Sequence, residues 1–505
     1  MQTTFSSWRV GLLVLLSLLL PGLHSVQAGS ATWGSNPSSS DWNTASNWSP
    51  QTVPNGPSDS ATFATSNLAV VTLSAPIEIN SAVFQPGASA FSISLPAGPF
   101  APSLTLSGAG VTNDSEVSQS FVAQWGADSG SPTIDFTGSA TAGSNTNYTA
   151  QGGPAPNTTG GVIQFFESSS AGGGAFVSQG SGFAGVGAGT VTFHDNSTAD
   201  AATITADAGT AANTVGGFVG FYDNSTAGTA TLIANGSHGG QSGGTIRFLD
   251  TTSGGSPRVV VLGNGTLDLT GHDPAVPLSI GSLEGTGSVN LGATNLIVGG
   301  NRRTTTFSGP MFGSGGKLTK VGNGRLALTK GNGYDGGTIV KEGILLANNR
   351  SGSATGIGPV RVLRGALGGN GQIVVGAVTL VGSPANLQPG NAPGTIGTLT
   401  IVSSLTFQND SIYNVDIDTV AATADSVIAQ GVTLGNSARI NLLLQGSSPI
   451  PAGTVFTIIN NTLSAPISGV FSNLPDGGSI IIGGNTFHVS YEGGDGNDLT
   501  LTLVP

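Results

Sequence analysis

The sequence predicts an all-β chain wound as a right-handed parallel β-helix, a β-solenoid with atypical β caps at both ends. Three observations predict it. Short strand-like runs recur with a fixed aromatic residue every 27 or 28 positions. Glycine makes up 81 of 505 residues and collects between those runs. Charged residues are only 8% of the chain, against about a quarter in ordinary soluble domains. Repeats at such a period mark stacked supersecondary units, and low charge leaves most of each unit to pack on its neighbours.

Residues 1–28 read as a secretory signal peptide. Arg9 flanks a nearly unbroken apolar run from Val10 to Leu20. Pro21 and Gly22 end that run, and Val26-Gln27-Ala28 supplies a small-residue cleavage pattern. The run is shorter than the roughly 20 residues a membrane span needs. The expectation is a secreted or cell-surface protein with no membrane span after cleavage. Cysteine is absent, so no disulfide framework or thiolate chemistry is available. The net charge of −12 argues against nucleic acid as a partner.

Residues 29–120 read as an N-terminal β region and solenoid cap. A solenoid end exposes strand edges and an open core, so terminal units must be atypical. Trp33, Trp42 and Trp48 gather there. They read as a plug for the first coil or, alternatively, as the lining of a sugar site.

Residues 121–270 carry the repeats. VIQFFESSSAG, TVTFHDNSTAD, FVGFYDNSTAG and TIRFLDTTSGG align Phe165, Phe193, Phe221 and Phe248, with Phe136 beginning the series. Each unit reads as strand, tight turn, strand, glycine-rich turn. None has the apolar spacing of a helix. One unit cannot bury its apolar side alone, but stacked units can. Equivalent residues should then lie in columns about 4.8 Å apart. The phenylalanines should form an internal stack, and Asn196 and Asn224 a polar ladder at a turn. The crossover rule for parallel strands sets the expected right hand.

From residue 271 to 410 the pattern changes but stays β. The stretch GKLTKVGNGRLALTKGNGYDGGTIVKEGILL resembles the autotransporter-associated β-strand repeat. The matching positions are Leu318, Thr319, Lys320, Gly322, Gly324, Leu326, Leu328, Tyr334, Gly336, Gly337, Thr338, Gly343 and Leu345. GALGGN from Gly365 and PGNAPGTI from Pro389 fit the same family. The resemblance implies an exported β-helical passenger and no chemistry of its own. Residues 411–505 read as a C-terminal β-rich cap of strand pairs, with no run of strands suited to a translocator barrel.

Candidate chemistry is sparse. Ten of the 14 basic residues lie between Arg302 and Arg364, opposed there only by Asp335 and Glu342. Arg302, Arg303, Lys317, Lys320 and Arg325 are therefore the expected patch for an anionic polymer, such as a surface polysaccharide. Asp495 and Asp498, in GGDGNDLTL, resemble half of a nonapeptide calcium site. No other cofactor is expected. GQSGG at Gly240–Gly244 matches a nucleophile elbow only in letters, since no helix follows. Glu167, Asp195, Asp223 and Asp250 recur once per unit, either as turn caps or as an acidic column. The reading is a structural or adhesin-like surface protein without catalytic activity, free to self-associate. The alternative is a β-helical polysaccharide lyase, glycoside hydrolase or carbohydrate-binding protein.

Overall fold

A computed structural model describes residues 29–98, 101–127, 130–237 and 239–504. The signal-peptide expectation concerns residues outside this range. Within it, helix is limited to one 3-10 turn at Ala45–Asn47. The chain winds as a parallel β-helix, each coil hydrogen-bonded to the coils before and after it.

The first face is a 13-stranded sheet running from the antiparallel edge strand Trp48–Ser49, through Ala31–Trp33, to Met311–Phe312. The second runs from Val70–Thr72 through Thr203–Ala206 and Arg325–Leu328 to Arg439–Gln445, each strand parallel to the next coil's, with the short strand Thr423–Ala424 added antiparallel. The third begins as single bridges, Thr141 to Ser170 to Thr198 to Thr226 to Ser253. It widens into an eight-stranded sheet from Leu278–Ile280 to Val432–Leu434. The fourth sheet starts at Gln372–Val374 and follows the first in coil order. Beyond Val455–Asn461 its strands turn antiparallel, through Asp498–Leu503, Asn485–Gly493 and Ser479–Ile482. That antiparallel group closes the far end.

The phenylalanine column forms as the repeats predict. Phe136, Phe165, Phe193, Phe221 and Phe248 pair in direct register. Their ring centroids lie 4.6 to 4.8 Å apart. All five are fully buried. A second inner stack, Phe121, Tyr148 and Phe176, stands on the second face. Each aromatic contact adds about 0.5–1.5 kcal/mol beyond its buried area.

Glycine at the joints is a matter of room. A Cβ on Gly216 would lie 2.1 Å from the Gly243 carbonyl oxygen of the next coil. No side chain fits there without parting the coils.

The coils then narrow. Hydrogen bonds between equivalent turns span 28 residues at Glu167–Asp195 and 22 at Asn348–Asn370. Leu269 and Leu291, both buried, follow Phe248 on the first face. All three ion pairs of the described residues lie at this transition: Arg247–Asp268, Arg258–Glu284 and Arg303–Glu284.

Candidate functional site

The acidic column is built from turn residues. Glu167, Asp195, Asp223 and Asp250 hold left-handed backbone conformations, with φ between 51° and 56°. Asx residues tolerate that region best after glycine. Each carboxylate accepts from a backbone N–H one coil earlier. The Gly138 N–H donates to Glu167, Glu167 N–H to Asp195, Asp195 N–H to Asp223, and Asp223 N–H to Asp250. The caps therefore join coils rather than close their own turns. The Asn ladder does not form. Asn224 instead takes the Thr251 hydroxyl at 2.8 Å, and the acids one position earlier carry the ladder.

Beside the acids runs a half-buried outer stack of Phe166, His194 and Tyr222. Burial between the two rings holds His194 below the usual imidazole range, against the raising pull of Asp223 and Asp195.

The basic stretch divides. Arg302 and Arg303 are exposed on the corner between the third and second faces. Arg325 opens the next second-face strand and donates to the Asn391 carbonyl at 2.9 Å. Lys317 is exposed at the opposite end of its third-face strand, Lys317–Lys320. Lys320 departs from the expectation altogether, since it is only 1% exposed. It shares the inward parity of Leu318. Its Nζ donates to the carbonyls of Val321 and Gly322 at 2.7 Å each and of Glu342 at 3.3 Å. An ammonium so engaged cannot meet a surface polymer. Burial lowers its pKa to about 8, with Glu342 opposing.

The remaining motif positions are structural. Leu318, Leu326, Leu328 and Leu345 are buried, and Thr319 accompanies them. Gly322, Gly337 and Gly343 have positive φ. Gly324 and Gly336 lie against backbone carbonyls of the preceding coil. A Cβ at Gly343 would sit 2.8 Å from the Lys320 Nζ. The Tyr334 hydroxyl pairs with the Thr338 hydroxyl at 2.6 Å, deep in the core.

Around Tyr334 the first face lacks a strand, and buried amides take over. The Met311 N–H donates to Asn332 Oδ1, and Asn332 Nδ2 donates to the Ala354 carbonyl. The Gln372 N–H donates to Asn349 Oδ1. Neither asparagine stood out in the sequence, because Asn in a glycine-rich run reads as an exposed turn. Asp425 was also missed. It is buried, accepts N–H bonds from Gly397 and Asp416, and is pushed up to about 7 by desolvation.

Trp33, Trp42 and Trp48 are buried and packed edge to face. Their indole N–H groups donate to the carbonyls of Leu68, Pro54 and Trp42. They plug the first coil and offer no ring face to a sugar. Asp495 lies in the turn between the last two strands, and Asp498 opens the last strand, paired with Gly493. Asp498 is buried and accepts from the Asn461 N–H. Among the described residues no three His, Cys, Asp or Glu side chains gather to hold a metal. No helix there is long and apolar enough to cross a membrane.

No family model matches the chain. It is 32% identical over 183 residues to an extracellular serine protease of Serratia marcescens, covering 33% of this chain and 15% of that protein. It is 32% identical over 168 residues to the adhesin BmaC autotransporter of Brucella suis, covering 31% of this chain and 5% of the adhesin. The chain thus spans a small part of either relative's length. About a third of the chain is thus similar in sequence to an extracellular protease and to an autotransporter adhesin.

Proposed function

We propose that this chain is an extracellular, adhesin-like rod that works by presenting its long faces and catalyses no reaction. One observation carries the reading: the acids that recur once per coil are engaged as caps between coils. A glycosidase or lyase needs such groups free and convergent on the substrate. The similarity to an autotransporter adhesin supports the same reading and an extracellular location. The similarity to an extracellular serine protease favours a different one. Against it, no serine hydroxyl among the described residues bonds to a histidine ring, and both His272 ring nitrogens face backbone carbonyls.

The test pairs adhesion with turnover. Surfaces coated with the purified chain should retain polysaccharide-coated beads that bare surfaces release. Casein and a panel of acidic and neutral polysaccharides should yield no more product than with boiled protein. Sustained release of peptides or sugars would sink the non-catalytic reading.

A further inference from the structure

We infer that the corner joining the third and second faces is a binding site for a linear acidic polysaccharide, bearing carboxylate or sulfate groups along its length. This deepens the adhesin reading and rests on it. The argument begins with the corner's order. Successive coils turn there at Gly299–Thr304, Val321–Gly324, Lys341–Gly343 and Leu363–Arg364, between paired third-face and second-face strands. Arg302 and Arg303, then Lys341, then Arg364 are exposed on this one edge. With coils about 4.8 Å apart, the cations stand roughly 10 and then 5 Å apart along the rod. Such a row matches a polymer lying parallel to the axis.

Two acids stand nearby, Glu342 exposed on the corner itself, and they reduce the row's charge without cancelling it. Glu342 accepts from the Gly322 N–H at 3.2 Å. Glu284 is held by Arg258 Nε and Nη2, at 2.9 and 2.8 Å, and Arg303 approaches it only to 3.8 Å. Beneath the corner lies Lys320, whose ammonium draws the carbonyls of Val321, Gly322 and Glu342 inward. Those three carbonyl oxygens thus point away from an incoming anion, and the ammonium adds positive charge beneath them. The rest of the chain is acidic, with a net charge of −12 overall. Long-range repulsion therefore opposes dense polyanions in general, and binding must come from the local row of cations.

The experiment compares the full chain with two variants that each remove four exposed cations. The corner variant carries Arg302→Gln, Arg303→Gln, Lys341→Gln and Arg364→Gln. The control carries Lys317→Gln, Lys330→Gln and Arg350→Gln, exposed and off the corner, and Arg439→Gln, exposed three coils beyond Arg364. Heparin and polygalacturonate are the probes, with duplex DNA and anionic lipid vesicles alongside. Matching circular dichroism and melting curves establish that both variants fold. The corner variant should lose at least about tenfold in heparin affinity at low salt, and its salt slope should fall by about 3. The control should stay within about threefold of the parent. Equal losses in both variants would reduce the effect to net charge and overturn the site. So would failure of the parent to bind either polysaccharide, or tighter binding of DNA or vesicles through the corner. Corner-dependent binding accompanied by cleavage of the polymer would uphold the site while removing the non-catalytic reading.

Discussion

The wide coils around Phe136–Phe248 and the narrow coils around Thr305–Val362 solve the same packing problem with different chemistry. A 28-residue coil is roomy enough for a phenylalanine on the first face and an aromatic or large aliphatic on the second. Its aromatic interior is mainly apolar, with buried hydroxyls such as Ser178 and Ser197 bonded to backbone at the turns, and its charged links sit outside, in the carboxylate caps. A coil of about 22 residues has lost a strand on the first face near Tyr334. There buried amides and an ammonium carry more of the links, through Asn332, Asn349, Thr338 and Lys320. Shortening the coil thus replaces backbone ladder with buried side-chain hydrogen bonds. The wide coils should fail by cavity formation, and the narrow coils by unsatisfied polar groups.

The largest effect expected is in the aromatic stack. Phe193→Ala leaves Phe165 and Phe221 facing a void and should cost about 3–5 kcal/mol. Urea unfolding should show the loss, with amide exchange accelerating first in the neighbouring coils. Lys320→Met comes next, at about 1–3 kcal/mol, because three inward carbonyls lose their donor. A loss confined to the phenylalanine variant would break the contrast.

The pH dependence sharpens it. Lys320 falls from its ordinary 10.5 to about 8 in the fold. Between those values the unfolded chain holds a proton that the folded chain has released. Stability therefore rises with pH across that window, and Lys320→Met should flatten it. Asp425 behaves oppositely. It rises from 3.8 to about 7, so between about pH 4 and 7 the folded chain keeps a proton that the unfolded chain has lost. Stability falls with rising pH there, and Asp425→Asn should remove the slope. The smallest effect is at the outer caps. Asp223→Ala should cost about 1 kcal/mol and weaken with salt, because the cap is exposed to solvent.

The wide coils were legible because the sequence nearly repeats itself: Phe165 predicts where Phe193 lies. The acids were legible as caps, but only stacking shows that each reaches the neighbouring coil. The narrow coils were harder. Leu-Thr-Lys reads as a strand ending in solvent, yet alternation places Lys320 on the same side as Leu318. That parity was the available signal. Asn332 and Asn349 gave none, since their role comes from the strand missing beside them. The basic stretch was legible as a concentration of charge. Its division between the corner, the far strand end at Lys317 and the core at Lys320 depends on how the coils turn.

Register is tested most directly by disulfide formation in this cysteine-free chain. Thr203 faces Thr231 in the wide coils, and Thr306 faces Ala327 in the narrow ones. Cysteines at either pair should join on mild oxidation, each with its own spacing of 28 or 21 positions. Thr203→Cys combined with Arg258→Cys skips a coil, placing the two Cα atoms about 10 Å apart, beyond bridging reach. Bridging of that skipped pair as readily as the adjacent ones, or no bridging of either adjacent pair, would contradict the stacked coil.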